Sequence, residues 1–223
     1  MEKAKLDIIH ESKHWLAVNK PSGMIVERNP FEKPTVEDLV WEYLEASQKR
    51  PYLGIVHRLD RVTSGVLLLA KRKSALRHLN QQFAERTVTK TYLAILAKAP
   101  SPKEGVLKHW LEKDQQNKIA RIFEQAGAKR QKATLHYEVL REVDGLFLTQ
   151  VRPETGRFHQ IRAQLATIGC PIVGDEKYGS TFDPAHRYIA LHASKLAFTN
   201  PETDQPMEIV APMPADKWWL NFT

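Results

Sequence analysis

The sequence has almost no cysteine. Cys170 stands alone among 223 residues, so no internal disulfide can form and the chain suits a reducing compartment. Long apolar runs are missing too. No stretch approaches the roughly 18 to 20 apolar residues of a membrane-spanning helix. The opening Met1-Glu2-Lys3-Ala4-Lys5 is too short and too charged for a secretory leader. These absences lead us to expect a cytoplasmic protein without a membrane partner. There is no Walker-type or Rossmann glycine pattern, and none of the nine histidines forms an H-E-x-x-H pair. A lone cysteine cannot build a Cys-rich zinc site, so the histidines are not expected to hold a metal. Thr63-Ser64-Gly65 is not a G-x-S-x-G elbow, which argues against a serine hydrolase. Repeats, low-complexity segments and long linkers are also lacking. The length therefore fits one domain over 1–223.

What is abundant is positive charge. A formal net charge of +7 and a pI near 9.4 draw a protein to polyanions, chiefly through phosphates. Residues 7–10, 15–19 and 24–26 have strand character, with a turn at Lys20-Pro21-Ser22-Gly23. Thr35 opens a helix with Asp38 in capping-box position and an apolar face of Val36, Leu39, Val40, Tyr43 and Leu44. Val66–Ala70 is a continuous apolar run, as expected of a buried strand. Ser74 is expected to cap a second helix, with Leu76, Leu79 and Phe83 facing the core. A strand over 88–97 follows, then short strands at 105–111 and 118–123. Next comes a hairpin from Thr134 to Val151 around Asp144-Gly145. A helix is expected over 157–168, stopped by Gly169 with Pro171 beyond. A last hairpin runs from Tyr188 to about Val210, turning near Asn200-Pro201. Strands outnumber helices and are joined by hairpins. The expected fold is α+β, a mixed, largely antiparallel sheet with flanking helices.

The most informative stretch is His57-Arg58-Leu59-Asp60-Arg61-Val62-Thr63-Ser64-Gly65. It sets Asp60 between two guanidinium groups, and nearby opposite charge favours the ionised carboxylate. Such a group suits a nucleophile or an electrostatic stabiliser better than a proton donor. In Arg157-Phe158-His159-Gln160-Ile161-Arg162, the residues Phe158, Ile161, Leu165 and Ile168 are spaced as a buried stripe. Arg162 lies at the edge of that stripe, where a partly buried cation needs an anionic partner. Arg157 falls in the first turn, where the helix dipole disfavours a cation. A protein carboxylate or an RNA phosphate could compensate it. Tyr92 sits on a strand, and its hydroxyl could move a proton only beside a reaction centre. His57, His159 and His192 are isolated in sequence and suit structural or orienting roles. Cys170 is read as packing.

Together these stretches resemble the RluA-type family of RNA pseudouridine synthases. Asn19-Lys20-Pro21-Ser22-Gly23 is similar to its K-P-x-G element, and His57 to Gly65 to its H-R-L-D-x-x-T-S-G signature. Lys90-Thr91-Tyr92 is similar to its K-x-Y, and Gly156 to Arg162 to its G-R-x-H-Q-I-R. Gly174-Asp175-Glu176-Lys177-Tyr178-Gly179 and Leu191-His192-Ala193 fit its later elements. The resemblance implies isomerisation of uridine to pseudouridine in tRNA or rRNA without cofactor or metal; a monomer with no obligate protein partner is the simplest expectation. It implies Asp60 as the nucleophile and Tyr92 as a contact to the base. It also implies an arginine of the helix motif, here Arg162, paired with Asp60. Arg58 is similar to the family residue that fills the space of the flipped nucleotide, and Arg157 would serve phosphate or motif architecture. A target base must leave its stack, at a cost of a few kcal/mol. Phosphate contacts by His57, Arg61, His159, Lys71, Arg72, Lys73 and Arg77, or by Lys129, Arg130 and Lys132, could offset that cost. An additional S4-like RNA-binding domain, carried by some members of that family, is not expected in these 223 residues.

Overall fold

The computed structural model describes residues 5–182, 188–216 and 218–222. In chain order the elements are β1 (Ile8–Glu11), β2 (Trp15–Lys20), α1 (Val36–Ser47), β3 (Gly54–Ile55), β4 (Ser64–Ala70), α2 (Lys73–Glu85) and β5 (Thr89–Leu96). Then come β6 (Glu104–Asp114), β7 (Ile119–Phe123), β8 (Gln131–Val143), β9 (Leu146–Pro153), α3 (Gln160–Thr167), β10 (Leu191–Thr199) and β11 (Pro206–Val210). Short 3-10 turns cover Glu176–Tyr178 and Trp219–Phe222. Antiparallel ladders with three helices bear out the α+β expectation. The chain forms two compact units, Met1–Thr89 with Ala193–Pro212, and Lys90–His192 with Met213–Thr223. Among the described residues, no helix is long and apolar enough to cross a membrane.

In the first unit β2 lies antiparallel to β4, from Trp15↔Ala70 to Lys20↔Gly65. β1 extends the sheet beyond β2, β3 pairs with the end of β4, and β11 pairs with β10. Trp15, Ala17, Val66 and Leu68 pack with Leu79 of α2 and with Phe198 and Ile209. Leu16, Leu67 and Leu69, on the alternate face, are equally buried. Burial on both faces is why Val66–Ala70 reads as an unbroken apolar run. Gly65 has φ +110°, and a Cβ there would stand 2.2 Å from the Ala193 carbonyl oxygen. Only glycine fits that approach.

The α1 capping box forms as expected: the Thr35 hydroxyl accepts from the Asp38 amide and the Asp38 carboxylate accepts from the Thr35 amide. Two sequence expectations fail nearby. Met24-Ile25-Val26 is not a strand. Its Ile25 and Val26 carbonyls accept from the Val36 and Glu37 amides, so the segment closes the first turn of α1 instead of joining a ladder. Ser74 does not cap α2. The Leu76 amide already donates to the Arg72 carbonyl, which makes Arg72 the cap and leaves Ser74 inside the first turn with no side-chain cap.

The second unit is an antiparallel run in the order β5-β9-β8-β6-β7. The β8–β9 hairpin turns at Asp144 and Gly145, both at positive φ, as a primed turn requires. Leu111, Ala120, Ala133 and Ala163 form a small core between α3 and the sheet, with Ile122 and Tyr178 against it. The α3 boundary differs from the sequence expectation. His159 takes a left-handed conformation at φ +52°, so the helix begins at Gln160 and Arg157 lies before it, outside the first turn. Phe158 is 36% exposed and leaves the buried stripe, stacking on His159 at 3.8 Å between centroids. Gln160 through Leu165 are all buried, because sheet and turns surround the helix. The stop at Gly169 (φ +74°) and the burial of Cys170 agree with the sequence.

Candidate active site

Asp60 sits half-buried in the loop between β3 and β4. The Thr63 amide donates to the Asp60 carbonyl at 3.0 Å and closes a turn around it. Segment 20–24 then pins the loop. The Gly23 amide donates to the Arg61 carbonyl (2.8 Å), the Ser22 hydroxyl to the Val62 carbonyl (2.7 Å), and Arg61 Nε back to the Gly23 carbonyl (3.0 Å). Lys20, fully buried, donates from Nζ to the carbonyls of Pro21 (2.8 Å), Met24 (2.7 Å) and Arg61 (3.1 Å). Burial pulls its pKa down to about 7; the Asp60 charge raises it and Arg61 lowers it. Three carbonyls match the three N–H bonds of an ammonium, which favours the charged form. A buried cation thus binds the Asp60 loop to the turn after β2.

The arginines beside Asp60 in sequence pair elsewhere. Arg58 meets Glu27 at 2.7 Å and Arg61 meets Glu32 at 2.8 Å, both exposed. The turn at Asp60 leaves the Arg61 guanidinium exposed beside Glu32. Lys20 lies close enough for its proton equilibrium to feel the Asp60 charge. His57 is drawn into the fold: its Nε2 accepts from the Leu68 amide at 3.1 Å, just past the β3–β4 pairing, and its ring stacks on Phe83. Lys71 donates to Glu11 (2.5 Å) and to the Ser12 carbonyl (2.8 Å), while Arg72, Lys73 and Arg77 are exposed.

In the second unit, Tyr92 lies half-buried on β5 opposite Val151. Arg162 is buried on the first turn of α3. The anion that burial demands is Asp175, which takes Nε and Nη2 in a two-pronged pair, both at 2.7 Å. Arg162 Nη1 donates to His159 Nε2 at 3.0 Å. That donor fixes the tautomer: Nδ1 carries the proton and donates to the Tyr178 hydroxyl at 3.0 Å, which also accepts from the Ala120 amide at 2.7 Å. Burial, aided by Arg162, Lys177 and Lys113, pushes the His159 pKa down to about 3 and keeps the ring neutral. Gln160 holds the preceding turn, accepting from the Thr155 hydroxyl and the Arg157 amide and donating to the Thr134 carbonyl. Arg157 Nε donates to the Lys132 carbonyl. Arg130 lies over the Phe123 ring, near Glu112, and Lys129 is exposed.

Sequence reasoning assigned no role to Lys20, Gln160, Asp175 or Tyr178, although each stood inside a quoted motif. A readable signal existed for one of them: an Arg that must be buried calls for a nearby carboxylate, and Asp175 is the first carboxylate in the sequence after α3.

The family model described as RNA pseudouridylate synthase matches residues 14–167. The chain is 38% identical, over 92% of its length, to "Ribosomal large subunit pseudouridine synthase C" of Vibrio vulnificus (strain CMCP6), and spans 65% of that relative. It is 35% identical to "tRNA pseudouridine synthase C" of Vibrio parahaemolyticus serotype O3:K6 (strain RIMD 2210633), covering all of this chain and 96% of that one. Among solved structures, "Human RNA Pseudouridylate Synthase Domain Containing 1" superposes with a TM-score of 0.78 at 25% identity, over 95% of this chain and 86% of the other.

Proposed function

Because the chain belongs to the RNA pseudouridylate synthase family, we propose that it isomerises uridine in tRNA or rRNA to pseudouridine, with Asp60 as the nucleophile and the target base flipped from its stack. The two units together serve as one cytoplasmic catalytic domain. The N1–C1′ bond breaks, the uracil turns, C5 bonds to C1′, and the C5 proton is lost as N1 gains one. Atoms and charge balance with no co-reactant. Tyr92 contacts the base, and Arg162 is the arginine that pairs with Asp60. Arg58, His57, Arg61 and Arg157 hold the loop and the RNA.

One observation supports this reading most. A half-buried carboxylate, in the motif that carries the family resemblance, stands on a loop whose Arg61 and Val62 carbonyls accept hydrogen bonds from Lys20, Gly23 and Ser22. A positioned nucleophile needs such rigidity. The test is pseudouridine mapping of tRNA and rRNA from cells lacking the protein, complemented with the parent or with Asp60→Asn. The parent restores a missing pseudouridine and Asp60→Asn does not. Restoration by Asp60→Asn refutes the nucleophile assignment.

A further inference from the structure

Strand register brings three separate segments to the end of β4 remote from Asp60. Trp15 pairs with Ala70, which carries Lys13 to that end. Gly54 also pairs with Ala70, which carries Arg50 and Tyr52 there. Lys71, Arg72, Lys73 and Ser74 continue from the strand itself. These residues, with Gln48, line a cleft of about 450 Å³ that has no carboxylate in its wall. Lys71 is neutralised by Glu11. Lys13, Arg50, Arg72 and Lys73 are exposed and form no ion pair among the described residues. A concave wall of one sign focuses field and concentrates counter-ions. Tyr52 and Gln48 add hydrogen-bonding groups beside the cations.

We propose that this cleft is a second RNA site, holding backbone phosphates of a segment several nucleotides from the target uridine. The proposal rests on the RNA reading above. Asp60 precedes β4 and the cleft follows it. A seven-residue strand at about 3.3 Å per residue separates them by roughly 20 Å. A contact at that distance acts on binding of the whole RNA and not on the reacting base. Phosphodiester backbone is the ligand this chemistry fits: many weak cationic contacts, no apolar pocket for a base, and a polyanion as substrate.

The experiment compares the parent, Lys13→Gln/Arg50→Gln, and a control pair, Lys103→Gln/Lys195→Gln, whose cations lie outside the cleft. Probes are an unmodified tRNA transcript and an unmodified large-subunit rRNA fragment. Each phosphate contact contributes a slope of about 0.7 to 0.9 in log affinity against log salt. The cleft pair therefore lowers the slope by about 1.4 to 1.8 and raises KM about ten-fold, while kcat at saturating RNA falls less than two-fold. The control pair leaves the slope within about 0.5 of the parent. Equal losses from both pairs reduce the cleft to a diffuse field and overturn the proposal; so does an unchanged slope in the cleft pair. Failure of the parent to form pseudouridine in either probe overturns the proposed function instead, and the binding slopes still decide the cleft.

Discussion

Two charged side chains, Asp60 and Arg162, are held in opposite ways. The Asp60 loop is fixed through its backbone: carbonyls of residues 60–62 accept from Thr63, Gly23, Lys20 and Ser22. The Arg162 guanidinium is fixed through side chains, by Asp175 and by a neutral His159 tied to Tyr178. The backbone bonds of the first arrangement do not use the carboxylate, so replacing it leaves those bonds in place. The second makes the cation part of the packing. A functional charge held by its backbone separates activity from stability, and one held by side chains couples them.

The largest expected effect tests the first half of that contrast. Asp60→Asn abolishes turnover while thermal unfolding stays within about 1 kcal/mol of the parent, as for a change that spares the core. A large loss of stability would show that the carboxylate also holds the fold. Next, Asp175→Asn strips a buried guanidinium of its counter-charge and costs about 3–5 kcal/mol by urea unfolding, with activity falling alongside. A loss below about 1 kcal/mol would break the contrast.

Lys20→Met is the intermediate case, because a side chain there holds a backbone. Three carbonyls lose their donor, at about 1–3 kcal/mol for each buried group left unsatisfied, offset by relief from burying a charge. We expect a net loss of roughly 2 kcal/mol and a larger fall in kcat than in RNA affinity. Unchanged kcat would remove Lys20 as a positioning residue for the Asp60 loop.

The smallest effect is a pH dependence. With the His159 pKa near 3 in the fold and 6.5 as its ordinary value, the unfolded chain binds a proton between those values that the folded chain refuses. Stability from the neutral ring is complete above about 6.5 and is lost as pH falls toward 3. The urea-midpoint gap between the parent and His159→Gln should therefore narrow from pH 7 to pH 4. A gap that widens would mean that the ring is charged in the fold.

Much of the local structure was legible in the sequence. The capping box at Thr35 and Asp38, the buried run of β4, the Asp144-Gly145 turn and the Gly169 stop are encoded by neighbours within a few positions. So was the need of Arg162 for an anion. Two of the misreadings share one cause. Ser74 is a good cap by type, and Phe158 fits the helical spacing. In both cases the chain around them set the helix start, through the Arg72 carbonyl and the left-handed His159.

The sequence by itself therefore determined where most helices and strands lie and which motif carries Asp60, since propensity, period and turn chemistry act over short spans. Tertiary structure alone decided where the charges go: Arg58 to Glu27, Arg61 to Glu32, Lys20 to a carbonyl 41 positions away, and Lys13 and Arg50 to one cleft. Ion pairing and burial depend on strand register and loop placement, which bring together residues far apart along the chain.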